Sequence, residues 1–142
     1  MTNFTEQNPE YRSSWSAGSA PVAVIMISRN EGHRLPQVLA NLKGWAQEVF
    51  LVDSYSSDAT VDIALRSGIK VVQRQFTGFG DQWNFAVQNL PVEAPWTMKL
   101  DPDERLNNDL KASIERATQS PQCDAQGLWL RRRLWFMGKP LP

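Results

Sequence analysis

The chain has 142 residues, which is enough for one domain and too short for two. Of these residues 42% are hydrophobic and 21% charged, a composition typical of a globular protein. Its 15 basic and 15 acidic side chains cancel, so no net positive field favours nucleic acid as a partner. The single cysteine, Cys123, excludes an internal disulfide and a thiolate metal cluster. No apolar run approaches the ~20 residues of a membrane helix, and the N-terminus lacks the apolar core of a secretory signal. We therefore expect a cytoplasmic protein.

The first half of the chain predicts strands that alternate with helices. Residues 1–20 are rich in Ser, Asn, Thr and Gly, and we expect them to form a flexible tail. PVAVIMIS, residues 21–28, is a continuous apolar run typical of a strand buried on both faces. The i, i+3, i+4, i+7 spacing of apolar residues from Leu35 to Leu42 predicts a helix, which Gly44 ends.

The alternation continues with a second and a third strand. EVFLVDS, residues 48–54, is again a buried apolar run, and IKVVQ, residues 69–73, is a shorter one. Between them Asp58 can cap a helix that extends to about Ser67. Gly68 fits the left-handed position that commonly follows a helix.

The second half begins with a glycine loop and a helix in TGFGDQWNFAVQNLP, residues 77–91. WTMKL, residues 96–100, predicts a fourth strand, and a further helix is expected over Asn108–Gln119. GLWLRRRLWF, residues 127–136, is interpreted as an edge strand with outward basic residues, or less plausibly as a contact for a phosphate-bearing partner.

Strands and helices that alternate at this spacing predict an α/β fold with a mainly parallel sheet and helices on both faces. In such sheets ligands bind beyond the carboxyl ends of the strands. A polar cluster follows each predicted strand, and all of these clusters are therefore expected at one rim: SRNE at 28–31, DSYSSD at 53–58, GFGDQ at 78–82 and DPDE at 101–104. This rim is the predicted site.

Three carboxylates crowd the end of the fourth strand. Asp101, Asp103 and Glu104 repel one another, and this repulsion raises the pKa of at least one of them. Hard carboxylate oxygens without a nearby His or Cys suit Mg²⁺ or Mn²⁺ better than zinc. The alternative is an exposed acidic turn before a helix.

Two other rim features have a functional and a purely structural interpretation. Asp53 ends an apolar strand, where its carboxylate could bind a ribose hydroxyl or the imide N–H of a base, or simply form a turn. GFG before a helix offers backbone N–H groups to a diphosphate, although glycines at this place are often plain turns.

These clusters, in this order, resemble glycosyltransferases of family 2, which have the GT-A fold, and in particular lipopolysaccharide-core β-glycosyltransferases. The resemblance covers residues 21–142 and rests on four segments together with the closing RRRLWFMGKPL. These segments are SRNE at 28–31, VDSYSSDAT at 52–60, GFGDQWNFA at 78–86 and LDPDERL at 100–106. It implies the nucleotide-sugar-binding half of a Rossmann-like GT-A domain over 21–142.

The resemblance implies a role for each matching position. The residues that would bind the nucleotide sugar are Ile27, Ser28, Arg29 and Glu31 near the base, Asp53 at its uracil-type edge, and Gly80, Gln82, Asn84 and Asp101 near ribose and diphosphate. Asp103, with Asp101, would hold the metal. The implied partners are a UDP-type nucleotide sugar and a glycan or lipid-linked acceptor, with peripheral association at the inner face of the cell membrane.

The implied reaction is inverting transfer, in which an acceptor hydroxyl attacks the anomeric carbon and the metal neutralises the leaving diphosphate. Asp81 and Trp83 flank Gln82 where relatives often have small or basic residues. Family members continue beyond Pro142 for about another domain-sized hundred residues that carry the general base, so we expect this chain to bind a donor without transferring it.

Two alternatives to an enzyme half stay open on these residues. The first is a non-catalytic nucleotide- and metal-binding module that keeps only the donor side. The second is a Mg²⁺-dependent, receiver-like α/β domain, since such domains also carry acidic residues at strand ends. The order of the GFG and DPDE segments argues against the second.

Overall fold

The computed structural model describes residues 14–142. Within them, one sheet contains four parallel strands in the order β3-β2-β1-β4: β1 Ala20–Ser28, β2 Ala46–Asp53, β3 Lys70–Gln73 and β4 Trp96–Lys99. The helices that follow these strands are α1 Leu35–Leu42, α2 Thr60–Arg66, α3 Phe79–Asn89 and α4 Asn108–Gln119. The predicted parallel α/β fold is confirmed.

Helices cover both faces of the sheet because side chains alternate along each buried strand. On one face, Met26 of β1 and Leu51 of β2 pack in a cluster with side chains of α1, α2 and α4. On the other face, Ile25 and Phe50 pack with Ala86 of α3. The continuous apolar runs of β1 and β2 are explained by this double cover.

The strand order creates an opening beside β1. The chain moves from β1 outward to β3, and α3 then returns it to β4 on the opposite side of β1. β4 pairs with β1 only as far as Ile25, opposite Lys99, whereas β1 continues to Ser28. Residues 26–28 therefore extend beyond the end of β4, at the kind of topological switch point where parallel sheets bind ligands.

Residues 14–19 contact the body of the domain, although the sequence predicts a flexible tail over 1–20. The indole Nε1 of Trp15 donates to the carbonyl of Ala46 at 3.0 Å, and the backbone N–H of Gly18 donates to the same carbonyl at 3.0 Å. A Cβ on Gly18 would lie 2.3 Å from the backbone of Trp45, so only glycine permits this approach. The rest of the predicted tail, residues 1–13, lies outside the described residues.

The prediction of an edge strand over residues 127–136 is wrong. Only Trp135–Phe136 forms a strand, β5, and it pairs antiparallel with β6, Lys139–Pro140. Met137 and Gly138 between them have φ of 48° and 77°, the two positive values of a hairpin turn. The local hairpin replaces the expected pairing with the sheet, and Arg131–Arg133 are exposed and outside any strand.

No helix within residues 14–142 is long and apolar enough to span a membrane.

Glu48 anchors the segment that leads into β4. Its side chain on β2 is 8% exposed and accepts the backbone N–H groups of Glu93 at 2.9 Å and Ala94 at 2.8 Å. The ammonium of Lys70 lies 3.1 Å from the other carboxylate oxygen. A buried carboxylate with three donors is satisfied, and it fixes the chain immediately before the strand that ends at the site.

We expect Glu48→Ala to lower the free energy of unfolding by about 2–4 kcal/mol, because it leaves the buried N–H of Ala94, the part-buried N–H of Glu93 and the Lys70 ammonium without an acceptor. Urea unfolding followed by circular dichroism measures this. The control is Asp62→Ala, which breaks the exposed pair with Arg66 and should cost less than about 0.5 kcal/mol. Equal losses in the two variants would contradict the anchoring role.

Candidate functional site

A cleft of about 490 Å³ lies at the carboxyl ends of the strands. Its walls come from the segments that follow all four strands of the sheet, so the predicted convergence of these segments at one rim is confirmed. The residues that line it are Ile27, Ser28, Arg29, Glu31, Ser54, Phe76, Phe79, Asp101, Pro102 and Asp103.

The cleft brings most of the predicted site residues together. Those that line it are Ile27, Ser28, Arg29, Glu31, Asp101 and Asp103. Asp53 and Gln82 are fully buried and do not line it. Gly80 and Asn84 lie on α3, are exposed, and are also outside the lining. The structure therefore divides the predicted residues into a cleft wall, a buried layer and a helix surface.

Glu104 shapes the acidic turn that follows β4. Its Oε2 accepts the backbone N–H of Asp101 at 2.9 Å, and its own N–H donates to the Asp101 carbonyl at 2.9 Å. Its Oε1 pairs with a guanidinium nitrogen of Arg132 at 3.2 Å. Glu104 is thus occupied in closing the turn, and Glu31, the other glutamate near the cleft, pairs with Arg34 at 3.0 Å, which leaves Asp101 and Asp103 as the carboxylates of the lining without such a partner.

The carboxylates of Asp101 and Asp103 accept no hydrogen bond from any side chain or backbone group of residues 14–142. Burial raises the pKa of Asp101, and the negative charges of Glu104 and Asp103 raise it further. The predicted effect of crowding is confirmed in direction, with burial as the larger cause. Two unpaired carboxylates in one cleft favour a cation between or beside them.

The described residues contain no group of three His, Cys, Asp or Glu side chains that could enclose a metal ion. Two carboxylates are nevertheless enough for Mg²⁺, which usually binds one or two carboxylates and completes its shell with water and substrate phosphates. Asp101 and Asp103 fit that mode, and they do not fit a closed structural zinc site.

Asp53 holds the carboxyl ends of β1, β2 and β3 together. Its Oδ1 accepts from the hydroxyls of Ser28, at 2.9 Å, and Ser56. Its Oδ2 accepts from the backbone N–H of Ser56 at 2.8 Å and from Nε2 of Gln73 at 3.3 Å. Each carboxylate oxygen of Asp53 therefore accepts two hydrogen bonds within the protein. An external donor reaches this carboxylate only by replacing one of these bonds.

A second set of hydrogen bonds joins the loops after β1 and β2. Asn30, with φ of 55°, accepts the N–H of Ser57 at 2.8 Å through its side chain. Asp58 accepts the N–H of Gly32 at 3.1 Å and that of Thr60, the first residue of α2, at 3.0 Å. Hydrogen bonding to Thr60 lowers the pKa of Asp58. The N-cap of α2 is Ala59 and not Asp58 as predicted, but Asp58, one residue earlier, satisfies the first N–H of the helix and connects it to the loop after β1.

Gln82 lies behind the cleft and connects α3 to the sheet. Its Nε2 donates to the hydroxyl of Ser54 at 3.2 Å, and its Oε1 accepts from the guanidinium of Arg74 at 2.9 Å. Since Ser54 itself lines the cleft, Gln82 orients a cleft residue without reaching the cleft.

Sequence reasoning missed four residues of the lining: Ser54, Phe76, Phe79 and Pro102. Phe79 is the central residue of the GFG segment, whose glycines predict a diphosphate contact, and Phe76 lies three residues before it. Large aromatic residues in a glycine loop at a strand end are a signal that could have identified both.

Comparison with known proteins shows what this architecture is similar to. The sequence model of glycosyl transferase family 2 matches residues 23–132. An uncharacterized glycosyltransferase of Rickettsia conorii is 36% identical over 94 residues, which cover 66% of this chain and 33% of that protein. The 4,4'-diaponeurosporenoate glycosyltransferase of Staphylococcus haemolyticus is 31% identical over 103 residues, or 66% of this chain and 28% of its own length.

Among solved structures, mannosyl-3-phosphoglycerate synthase from Rubrobacter xylanophilus superposes with a TM-score of 0.57 at 17% identity. The superposition covers 70% of this chain and 36% of that one, and at this identity it shows a shared fold. The chain thus spans about a third of the length of the relatives it matches.

We expect Asp101→Asn to raise the melting temperature of the metal-free protein by about 2–5 °C at pH 7. A carboxyl with a raised folded-state pKa binds its proton more tightly in the folded than in the unfolded protein, so its contribution to stability is present below the unfolded pKa and is lost as pH rises through the folded one. Thermal melts in EDTA at pH 7 and pH 3 measure this, and the gain should shrink at pH 3. A variant less stable than the parent at pH 7 would contradict the repulsion at this turn.

Proposed function

The chain belongs to glycosyltransferase family 2, and on that premise we propose that it binds a nucleoside diphosphate sugar together with Mg²⁺ or Mn²⁺, as the donor half of an inverting glycosyltransferase. The observation that carries the proposal is the pair of unpaired carboxylates, Asp101 and Asp103, in a cleft at the switch point of a parallel sheet.

The cleft residues supply the chemistry that such a donor requires. Asp101 and Asp103 would hold the ion, which neutralises the charge that grows on the leaving diphosphate. Arg29 lines the same cleft and brings a positive charge that can pair with a phosphate oxygen. Ser28 and Ser54 add hydroxyl groups that can bond to the ribose or the base.

We further propose that the whole protein transfers its sugar to a glycan or lipid-linked acceptor in lipopolysaccharide or cell-surface glycan synthesis, at the inner face of the membrane. The resemblance of the four rim segments to lipopolysaccharide-core enzymes supports this acceptor class. Because the chain spans about a third of its relatives, acceptor binding and the general base are proposed for the whole protein.

We expect isothermal titration calorimetry to show UDP binding that strengthens when Mn²⁺ is added, since Asp103 would hold the ion and the ion would neutralise charge on the diphosphate. Asp103→Asn should reduce the gain in UDP affinity on addition of Mn²⁺ by at least about tenfold, which corresponds to about 1.4 kcal/mol. The control is Asp109→Asn, an exposed carboxylate in the first turn of α4, away from the cleft. Equal metal dependence in the parent and in Asp103→Asn would exclude the metal role.

Asp53 provides a separate test of base recognition. Its carboxylate could accept the imide N–H of uracil if the half-buried Ser56 gives up its place. If so, Asp53→Asn should abolish a preference for UDP over CDP, because an amide can pair with either base. The ratio of the two affinities is the readout, since it is unaffected by the fraction of folded protein. An unchanged ratio would leave Asp53 with the structural role that its hydrogen bonds show.

A further inference from the structure

Phe76, in the loop between β3 and α3, and Phe79, the first residue of α3, present two aromatic rings to the cleft. Phe79 is 71% exposed and Phe76 is 40% exposed, and both line the cleft. Their ring centroids lie 5.0 Å apart with an interplanar angle of 74°, an edge-to-face contact. Exposing two large apolar side chains forfeits the gain of burying them in the core, so a ligand that covers them is favoured.

Hydrogen bonds to Asp81 hold the segment that carries these rings in place. Arg74, at the end of β3, donates to the carboxylate of Asp81 on α3, and the hydroxyl of Thr77 donates to the same carboxylate. These contacts lower the pKa of Asp81, mainly through Arg74. Gly78, with φ of 145°, makes a bend that other residues rarely adopt. The aromatic pair is therefore preorganised, which reduces the entropy lost when a ligand covers it.

The aromatic pair and the carboxylates follow opposite edge strands of the sheet. β3 and β4 are the two edge strands of the four-stranded sheet, separated by three strand spacings, or roughly 14 Å. The aromatic pair follows β3, and Asp101 and Asp103 follow β4. A nucleoside diphosphate has the same polarity over a comparable length, with a flat base at one end and the metal-binding diphosphate at the other.

We infer that the Phe76–Phe79 pair is the base-stacking platform of this cleft, with the face of the nucleobase on the exposed ring of Phe79 and with Phe76 in edge-to-face contact with Phe79. This inference rests on the proposed function and adds to it a residue pair that recognises the base by its face. Recognition of this kind needs no free polar group in the buried layer, where Asp53 and Gln82 are already hydrogen-bonded.

The test compares a ligand that has a base with one that lacks it. In the presence of Mn²⁺, Phe79→Ala should weaken UDP binding by about five- to 150-fold, the range expected for loss of one base–aromatic stack. The affinity for inorganic pyrophosphate should be unchanged, because it contacts only the carboxylate end. Phe79→Trp should retain or strengthen UDP binding. UDP should quench the fluorescence of the added indole, and pyrophosphate should not.

Val87→Ala is the matched control, since Val87 is 69% exposed on the same helix but does not line the cleft. Unchanged UDP affinity in Phe79→Ala and Phe76→Ala would overturn the inference while leaving the proposed function intact. An equal loss for UDP and pyrophosphate would also overturn it, because it would indicate a distorted loop. If the unaltered chain binds pyrophosphate but shows no gain for UDP, the platform is excluded. If it binds neither, the proposed function fails and the inference fails with it.

Discussion

One buried carboxylate holds the functional end of this domain together. Asp53 lies at the point where three parallel strands stop, and parallel strands leave their last polar groups without partners there. By accepting hydrogen bonds from Ser28, Ser56 and Gln73, this side chain joins the ends of β1, β2 and β3 into one surface. The position of the cleft wall, and hence the separation between the aromatic pair and the carboxylate pair, depends on this junction.

The acidic turn after β4 lowers the stability of the fold, and neighbouring side chains hold this turn in place. Burial and the negative charges of Glu104 and Asp103 raise the pKa of Asp101, and the positive charges of Lys99 and Arg132 offset this only in part, so the ionised carboxylate is unfavourable in the folded protein. Glu104 and Arg132 brace the same turn so that it does not relax. Under the proposed function, a cation held by Asp101 and Asp103 would meet carboxylates on a turn that these contacts already order, which lowers the entropy lost on binding.

The sequence predicted the framework of the fold because burial on both faces produces continuous apolar runs, as in β1 and β2. It also predicted the rim, since the carboxyl ends of parallel strands must share an edge. Which rim residues face the cleft could not be predicted, because it depends on neighbouring side chains: Asp53 and Gln82 turn inward once Ser28 and Arg74 offer them donors. The failed edge strand at 127–136 has a similar cause, since the turn at Met137–Gly138 gave β5 a nearer partner than the sheet.

The short pairing between β1 and β4 leaves the last residues of β1 without a neighbouring strand on one side. The backbone of Ile25 points toward β4, where its carbonyl accepts the N–H of Leu100 at 3.1 Å. Ile27, two residues on, directs its own N–H and C=O to the same side, beyond the last residue of β4. The backbone N–H and C=O of Ile27 could bond to a ligand in the cleft whichever side chain occupies this position. Any bond that a ligand makes to these groups depends on the register of β1 and β4, and a substitution that keeps the backbone N–H of position 27 leaves it unchanged.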